Sequence, residues 1–216
     1  MAGVAESVPS RFPIFPLRGA VLLPGGNLPL NIFEPRYLAM VRDAMRTDRV
    51  IGMIQPIEAE QEGRPTPLYR TGCLGRITSF AEARDNRLAI TLSGFSRFDV
   101  AQELKVVTPY RQIMADFERW RGDLQPADPP ASLQPRLIAA MRAYFEKRDI
   151  EADWDSVKSA SLRALVVSLG MLCPFEPEEK QALIETTDLG RLGEMLVAMM
   201  TMDVLAGDKT SPSLLH

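Results

Sequence analysis

With 216 residues, 46% of them hydrophobic and 25% charged, the chain has enough apolar sequence for the core of one large domain or two small ones, which excludes a disordered polymer. A formal net charge of −3 excludes the strongly basic footprint of a dedicated nucleic-acid binder. That sum hides an asymmetry, because residues 11–121 carry 16 Lys and Arg against 12 Asp and Glu, whereas residues 122–216 carry 9 against 15.

Residues 1–10 read as a flexible N-terminus. From Phe12 to about Trp120, short apolar runs are broken by Gly, Pro, Asn and Asp, the pattern of many short strands. Strands are expected over 14–17, 28–33, 50–55, 72–83, 87–93, 95–104 and 110–117. Asp85 and Asn86 suit the tight turn of a hairpin because both tolerate the left-handed conformation. One helix interrupts the strands from Pro35 to about Thr47. Pro35 occupies its first turn, and Leu38, Val41 and Met45 share a face. Residues 56–69 are polar and hold three prolines, which predicts an exposed loop.

After Trp120 the segment RGDLQPADPPASLQP holds four prolines and reads as a linker over 121–131. A helical part is expected over 132–207, with about four helices. Leu133, Leu137, Met141, Tyr144 and Phe145 form the stripe of the first. The second follows Asp153 or Asp155 and stops at Gly170; the third starts near Pro177. The fourth is capped by Thr187 or Asp188 and ends at Gly207, leaving 208–216 as a frayed tail. The fold class is therefore α+β, strands in front and helices behind.

Chemistry-bearing patterns are sparse. His216 is the one histidine, so a Ser-His-Asp or Cys-His arrangement has no imidazole away from a terminus. Cys73 and Cys173 form no CxxC pattern and read as two reduced thiols in a reducing compartment. The piece Leu23-Pro24-Gly25-Gly26-Asn27 lacks the Lys-Ser/Thr of a phosphate loop. Ser156 and Lys158 are two residues apart, and such residues do not face each other on a helix. The acidic pairs Asp153 and Asp155, and Glu176, Glu178 and Glu179, sit at helix starts, where the helix dipole favours negative charge. Residues 1–12 lack the apolar stretch of a secretory signal, and the longest uncharged apolar run, 164–175, is too short to span a bilayer. A cytoplasmic, non-catalytic binding protein without cofactor or metal is expected.

Three stretches at the front carry a resemblance: Phe15-Pro16-Leu17, Val21-Leu22-Leu23-Pro24-Gly25, and the run Leu28-Pro29-Leu30-Asn31-Ile32-Phe33-Glu34-Pro35-Arg36-Tyr37. Together with Ile51-Gly52-Met53-Ile54, Thr71-Gly72-Cys73-Leu74-Gly75-Arg76-Ile77, Leu88-Ala89-Ile90-Thr91-Leu92-Ser93-Gly94 and Arg97-Phe98, they resemble the N-terminal domain family of Lon protease over about residues 11–206. The resemblance implies a PUA-like β pseudo-barrel with one inserted helix over 11–120, then a helical bundle, in a stand-alone form without ATPase and peptidase domains. It also implies a binding role.

Phe33, Glu34, Pro35, Arg36, Tyr37, Arg76, Arg97 and Phe98 are the candidate binding or structural residues. Phe33 and Tyr37 are expected as apolar anchors at the strand-to-helix corner, and Glu34 and Arg36 as partners of charges on neighbouring strands such as Arg76 or Arg97. The expected partners are unfolded or peptide segments of proteins, and a protease or chaperone. The 11 methionines suit an adaptable surface, though packing accounts for most of them. RNA binding by the barrel is the alternative, since 15 of the 20 arginines lie in the front part. It ranks lower because they are scattered among acids.

Overall fold

The computed structural model describes residues 8–59, 66–83 and 85–207. In chain order the elements are β1 (Arg11–Pro16), β2 (Asn27–Ile32), α1 (Pro35–Met45), β3 (Val50–Pro56), β4 (Leu68–Glu82), β5 (Leu88–Glu103), β6 (Gln112–Asp116), a 3-10 helix (Glu118–Leu124), α2 (Leu133–Lys147), α3 (Trp154–Ser159), α4 (Leu162–Leu172), α5 (Pro177–Ile184) and α6 (Leu189–Gly207). The fold is α+β, and the chain divides into two compact units. The first runs to Gln125 and includes Phe175–Ile184; the second comprises Pro126–Pro174 and the chain from Glu185 onward.

In the first unit β1 pairs parallel with β3 and antiparallel with β6. The pairs β3–β4, β4–β5 and β5–β6 are all antiparallel. These pairings close a five-stranded ring, β1-β3-β4-β5-β6, which removes the free edges of those strands. β2 stands outside the ring and pairs with the first half of β5. Phe12, Ile14, Val50, Ile54, Leu74, Phe98 and Ile113 fill the interior. Phe12 and Phe98 meet edge to face at 5.1 Å. Gly72 makes room for that pair: a Cβ there would lie 2.6 Å from Phe98 Cζ and 2.5 Å from Met53 O.

β5 replaces the two strands expected over 87–93 and 95–104. The sequence suggested a break at Gly94, yet glycine serves close approach at that point. A Cβ on Gly94 would lie 2.3 Å from Leu23 O; the Gly94 N–H donates to Gly26 O at 2.9 Å, and Gly25 N–H to Gly94 O at 2.8 Å. The expected hairpin turn is present, with φ of 63° at Asp85 and 57° at Asn86.

The first residues of the expected linker 121–131 belong instead to the 3-10 helix, where the Asp123 side chain is 7% exposed. The third expected helix, α5, belongs to the first unit and not to a bundle over 132–207. Gln55 explains why: its Nε2 donates to Pro177 O at 2.9 Å and to Gln181 Oε1 at 3.2 Å, while Gln181 Nε2 donates to Thr71 O at 3.2 Å.

In the second unit α2 packs along α6 with Leu133, Leu137, Met141, Tyr144 and Phe145 buried, the stripe expected for α2. The single helix expected after Asp153 is two. Asp153 caps α3, Ala160 turns extended at ψ 145°, and Ser161 caps α4 by accepting from Ala164 N–H at 3.2 Å. Gly170 is buried within α4 and does not stop it. Asp188 caps α6, accepting from Arg191 N–H at 2.8 Å. No helix among the described residues is long and apolar enough to cross a membrane.

Candidate functional site

The corner between β2 and α1 gathers five of the candidate residues. Phe33 is 63% exposed and Tyr37 is 4% exposed, so only Tyr37 acts as an apolar anchor there. Its ring lies 4.2 Å from that of Phe15. Glu34 is the extended residue before the helix and Pro35 is its first residue. The Glu34 carboxylate accepts from Arg36 Nε at 3.0 Å. The guanidinium also lies 4.5 Å from the centre of the Tyr37 ring. Glu34 therefore pairs with Arg36 two residues away, and not with the strand arginines Arg76 or Arg97, because the tight corner brings the two side chains together first.

The other three candidates lie elsewhere in the unit. Arg76, half-buried on β4, reaches Asp48 O at 3.5 Å and lies 5.9 Å from the Phe95 ring. Phe98 is part of the barrel interior. Arg97 is 5% exposed. Its Nε donates to Asp123 Oδ2 at 2.9 Å, Nη2 to Asp123 Oδ1 at 2.5 Å and Nη1 to Ile184 O at 3.1 Å. The guanidinium stacks at 4.1 Å on Trp120, as does Arg119 at 4.4 Å. Trp120 Nε1–H in turn donates to Asp99 Oδ1 at 3.0 Å, which also accepts from Thr71 Oγ1–H at 2.8 Å. Trp120, Asp99 and Asp123 were not singled out from sequence; the side-chain hydrogen bonds that hold them join residues 21 to 28 apart.

Among the described residues, Cys73, Ser156 and Lys158 are each sealed by burial or bound to a carboxylate. Burial, with the Asp123 carboxylate second, pushes the Cys73 thiol far above its usual range, which keeps it from acting as a thiolate. Ser156 Oγ–H donates to Asp153 at 2.6 Å and Lys158 Nζ to Asp155 at 3.0 Å, so each side chain of the Ser-Lys pair is bound to a carboxylate. Among the described residues no group of His, Cys, Asp and Glu could hold a metal ion. His216 lies outside the described residues.

Apolar surface remains at Phe33, Ile57, Val107 and Leu124 in the first unit and at Leu172, Met202 and Leu205 in the second. A groove of about 390 Å³ between α2 and α6 is lined by Ala139, Ala140, Ala143, Val197, Val204 and Leu205, among others. β2 lies at the end of the strand order, beside β5 alone among the described strands. It carries Asn27, Pro29 and Asn31 exposed and Leu28 and Leu30 half-buried. The sequence signal for this edge was Pro29, since a strand proline belongs where no ladder N–H is required.

The family model described as the ATP-dependent protease La (LON) substrate-binding domain matches residues 11–202. Lon protease 2 of Myxococcus xanthus is 29% identical over 198 residues, covering 85% of this chain and 22% of that protein. The Lon protease of Anaeromyxobacter dehalogenans is 27% identical over 198 residues, with the same coverage. The chain thus spans about a fifth of the length of these relatives. Among solved structures, a Lon N-terminal domain protein from Xanthomonas campestris aligns with a TM-score of 0.63 at 24% identity, covering 88% of this chain and 98% of that one. The N-terminal domain of the Mycobacterium avium complex Lon protease aligns at 0.62 with 12% identity and the same coverage. Both share the fold.

Proposed function

Because the chain belongs to the family of the ATP-dependent protease La (LON) substrate-binding domain, we propose that it is a polypeptide-recognition module that holds unfolded or peptide segments for a protease or chaperone and performs no catalysis itself. The observation that carries this reading is the family match over residues 11–202: a domain that binds the substrate of a protease binds polypeptide. Exposed apolar side chains such as Phe33 and Met202 support it, since unfolded chains differ from folded ones chiefly in the apolar surface they offer. The arginines of the first unit support protein over RNA. Arg18, Arg36, Arg46, Arg97, Arg111 and Arg121 each pair with a carboxylate, which breaks up the continuous positive track that a phosphate backbone needs.

The test is a fluorescence-anisotropy titration of the full chain against a permanently unfolded protein with blocked cysteines, with the same protein in its folded form as comparator. Saturable binding of the unfolded form alone is expected. No saturable binding, or salt-sensitive capture of RNA in its place, would overturn the reading.

A further inference from the structure

We propose that the outer edge of β2 is where this chain takes up an extended polypeptide segment, adding it to the sheet as one more strand; the inference rests on the polypeptide-binding reading above. The phase of the β2–β5 ladder decides which backbone groups face outward. Gly94 N–H donates to Gly26 O, and the register continues as Asn27↔Ser93, Leu28↔Leu92, Pro29↔Thr91 and Leu30↔Ile90. Hydrogen-bonded pairs recur at every second residue of an antiparallel ladder, so Leu28, Leu30 and Ile32 bond to β5. Asn27, Pro29 and Asn31 therefore turn their backbone groups away from β5, a phase that costs Pro29 no ladder bond.

That edge offers the N–H groups of Asn27 and Asn31 and the C=O groups of Asn27, Pro29 and Asn31, along roughly 14 Å of strand. Among the described residues no other strand takes them. Donors and acceptors alternating at strand spacing are matched by another extended backbone. A nucleic-acid backbone presents phosphate acceptors and would leave the three carbonyls unmet. Leu28 and Leu30, half-buried, sit where the apolar face of the sheet reaches its border, while Asn27 and Asn31 are exposed on the opposite face. A segment with apolar residues at alternate positions continues both faces. A foreign segment fits better than a second copy of this chain, because the donor missing at Pro29 counts once against a foreign strand and twice when two β2 edges pair.

The probe is a fluorescein-labelled peptide of alternating Val and Thr with Lys at each end, titrated into the full chain, beside the same peptide with every central amide N-methylated. The plain peptide is expected to bind saturably and to compete with the permanently unfolded protein; N-methylation, which removes its backbone donors and leaves its side chains, should weaken binding at least tenfold. Asn31→Pro deletes an outward N–H without touching the β5 ladder and should weaken the plain peptide about fivefold or more with unchanged thermal unfolding. Pro29→Val supplies the missing donor and should tighten it about threefold. If the methylated peptide and the Asn31→Pro variant bind as their parents do, the β2 edge is not the site and the polypeptide-binding reading stands. If neither the peptide nor the unfolded protein binds, that reading falls and takes this one with it. A dimer that Asn31→Pro dissociates would assign the edge to a second copy and overturn the proposal.

Discussion

A guanidinium as buried as that of Arg97 requires a full set of acceptors, because an unpaired charge in the interior costs several kcal/mol. The carboxylate of Asp123 and the carbonyl of Ile184 meet that requirement from two different segments. Replacing Asp123 by Ala leaves the cation buried and partly unmet, so it should lower unfolding free energy by about 3–5 kcal/mol. The double variant Arg97→Met, Asp123→Leu should lose less than Asp123→Ala. Urea unfolding of the parent and the two variants checks both statements, and equal losses in the two variants would show that the pair is not coupled. Sequence drew attention to Arg97 but offered it, beside Arg76, as a partner for the charges of Glu34 and Arg36. Asp123 sat in a polar, proline-rich stretch that carried no mark of burial, since a carboxylate in sequence looks the same whether solvated or paired.

Among the elements, helix ends were easier to place than helix breaks. The caps Asp153 and Asp188 follow from side-chain chemistry that acts within three residues. The interruption at Ala160 left the apolar spacing unchanged and so left no trace in the periodicity. α2 and α6 are also linked by charge. Arg148 holds the Asp203 carboxylate by two hydrogen bonds and Lys147 lies 3.4 Å from it, which together keep the Asp203 pKa below the usual carboxylate value. A group whose folded pKa is lowered stabilises above its unfolded value, near 3.9, and loses that contribution as pH falls through the folded one. Asp203→Asn should therefore lower stability at pH 7 by about 1 kcal/mol or less, given the partial exposure of these side chains. The gap from the parent protein should be narrower at pH 3, below the unfolded value. Urea midpoints at the two pH values test this, and a gap that stays constant would remove Asp203 from the acid response.

At the scale of the molecule, the chain crosses between its two units three times, at residues 125, 174 and 184. The first unit is consequently incomplete until α5 has been made, and α5 brings the buried side chains Leu183 and Ile184. Residues 8–125 alone should thus be less stable than the first unit within the full chain, by about 3 kcal/mol or more from lost apolar burial. Trp120 reports the comparison, since it lies in the first unit and a Trp154→Phe variant of the full chain leaves it as the lone tryptophan. Equal urea midpoints for the fragment and that variant would show that α5 adds nothing to the barrel.

What the sequence by itself determined was whatever depends on neighbours along the chain: the α+β class, the strands and caps, the hairpin at Asp85 and Asn86, and the family, written in the run from Leu28 to Tyr37. Tertiary structure alone decided which distant groups meet. It closed β1 onto β6, carried β5 through Gly94 as one strand, placed α5 with the barrel and put Asp123 on Arg97. It also left β2 outside the ring, with one edge that no other strand among the described residues takes. Pairings of this kind depend on which surfaces arrive together when the core closes, and the local pattern of polar and apolar residues is the same for several such closures.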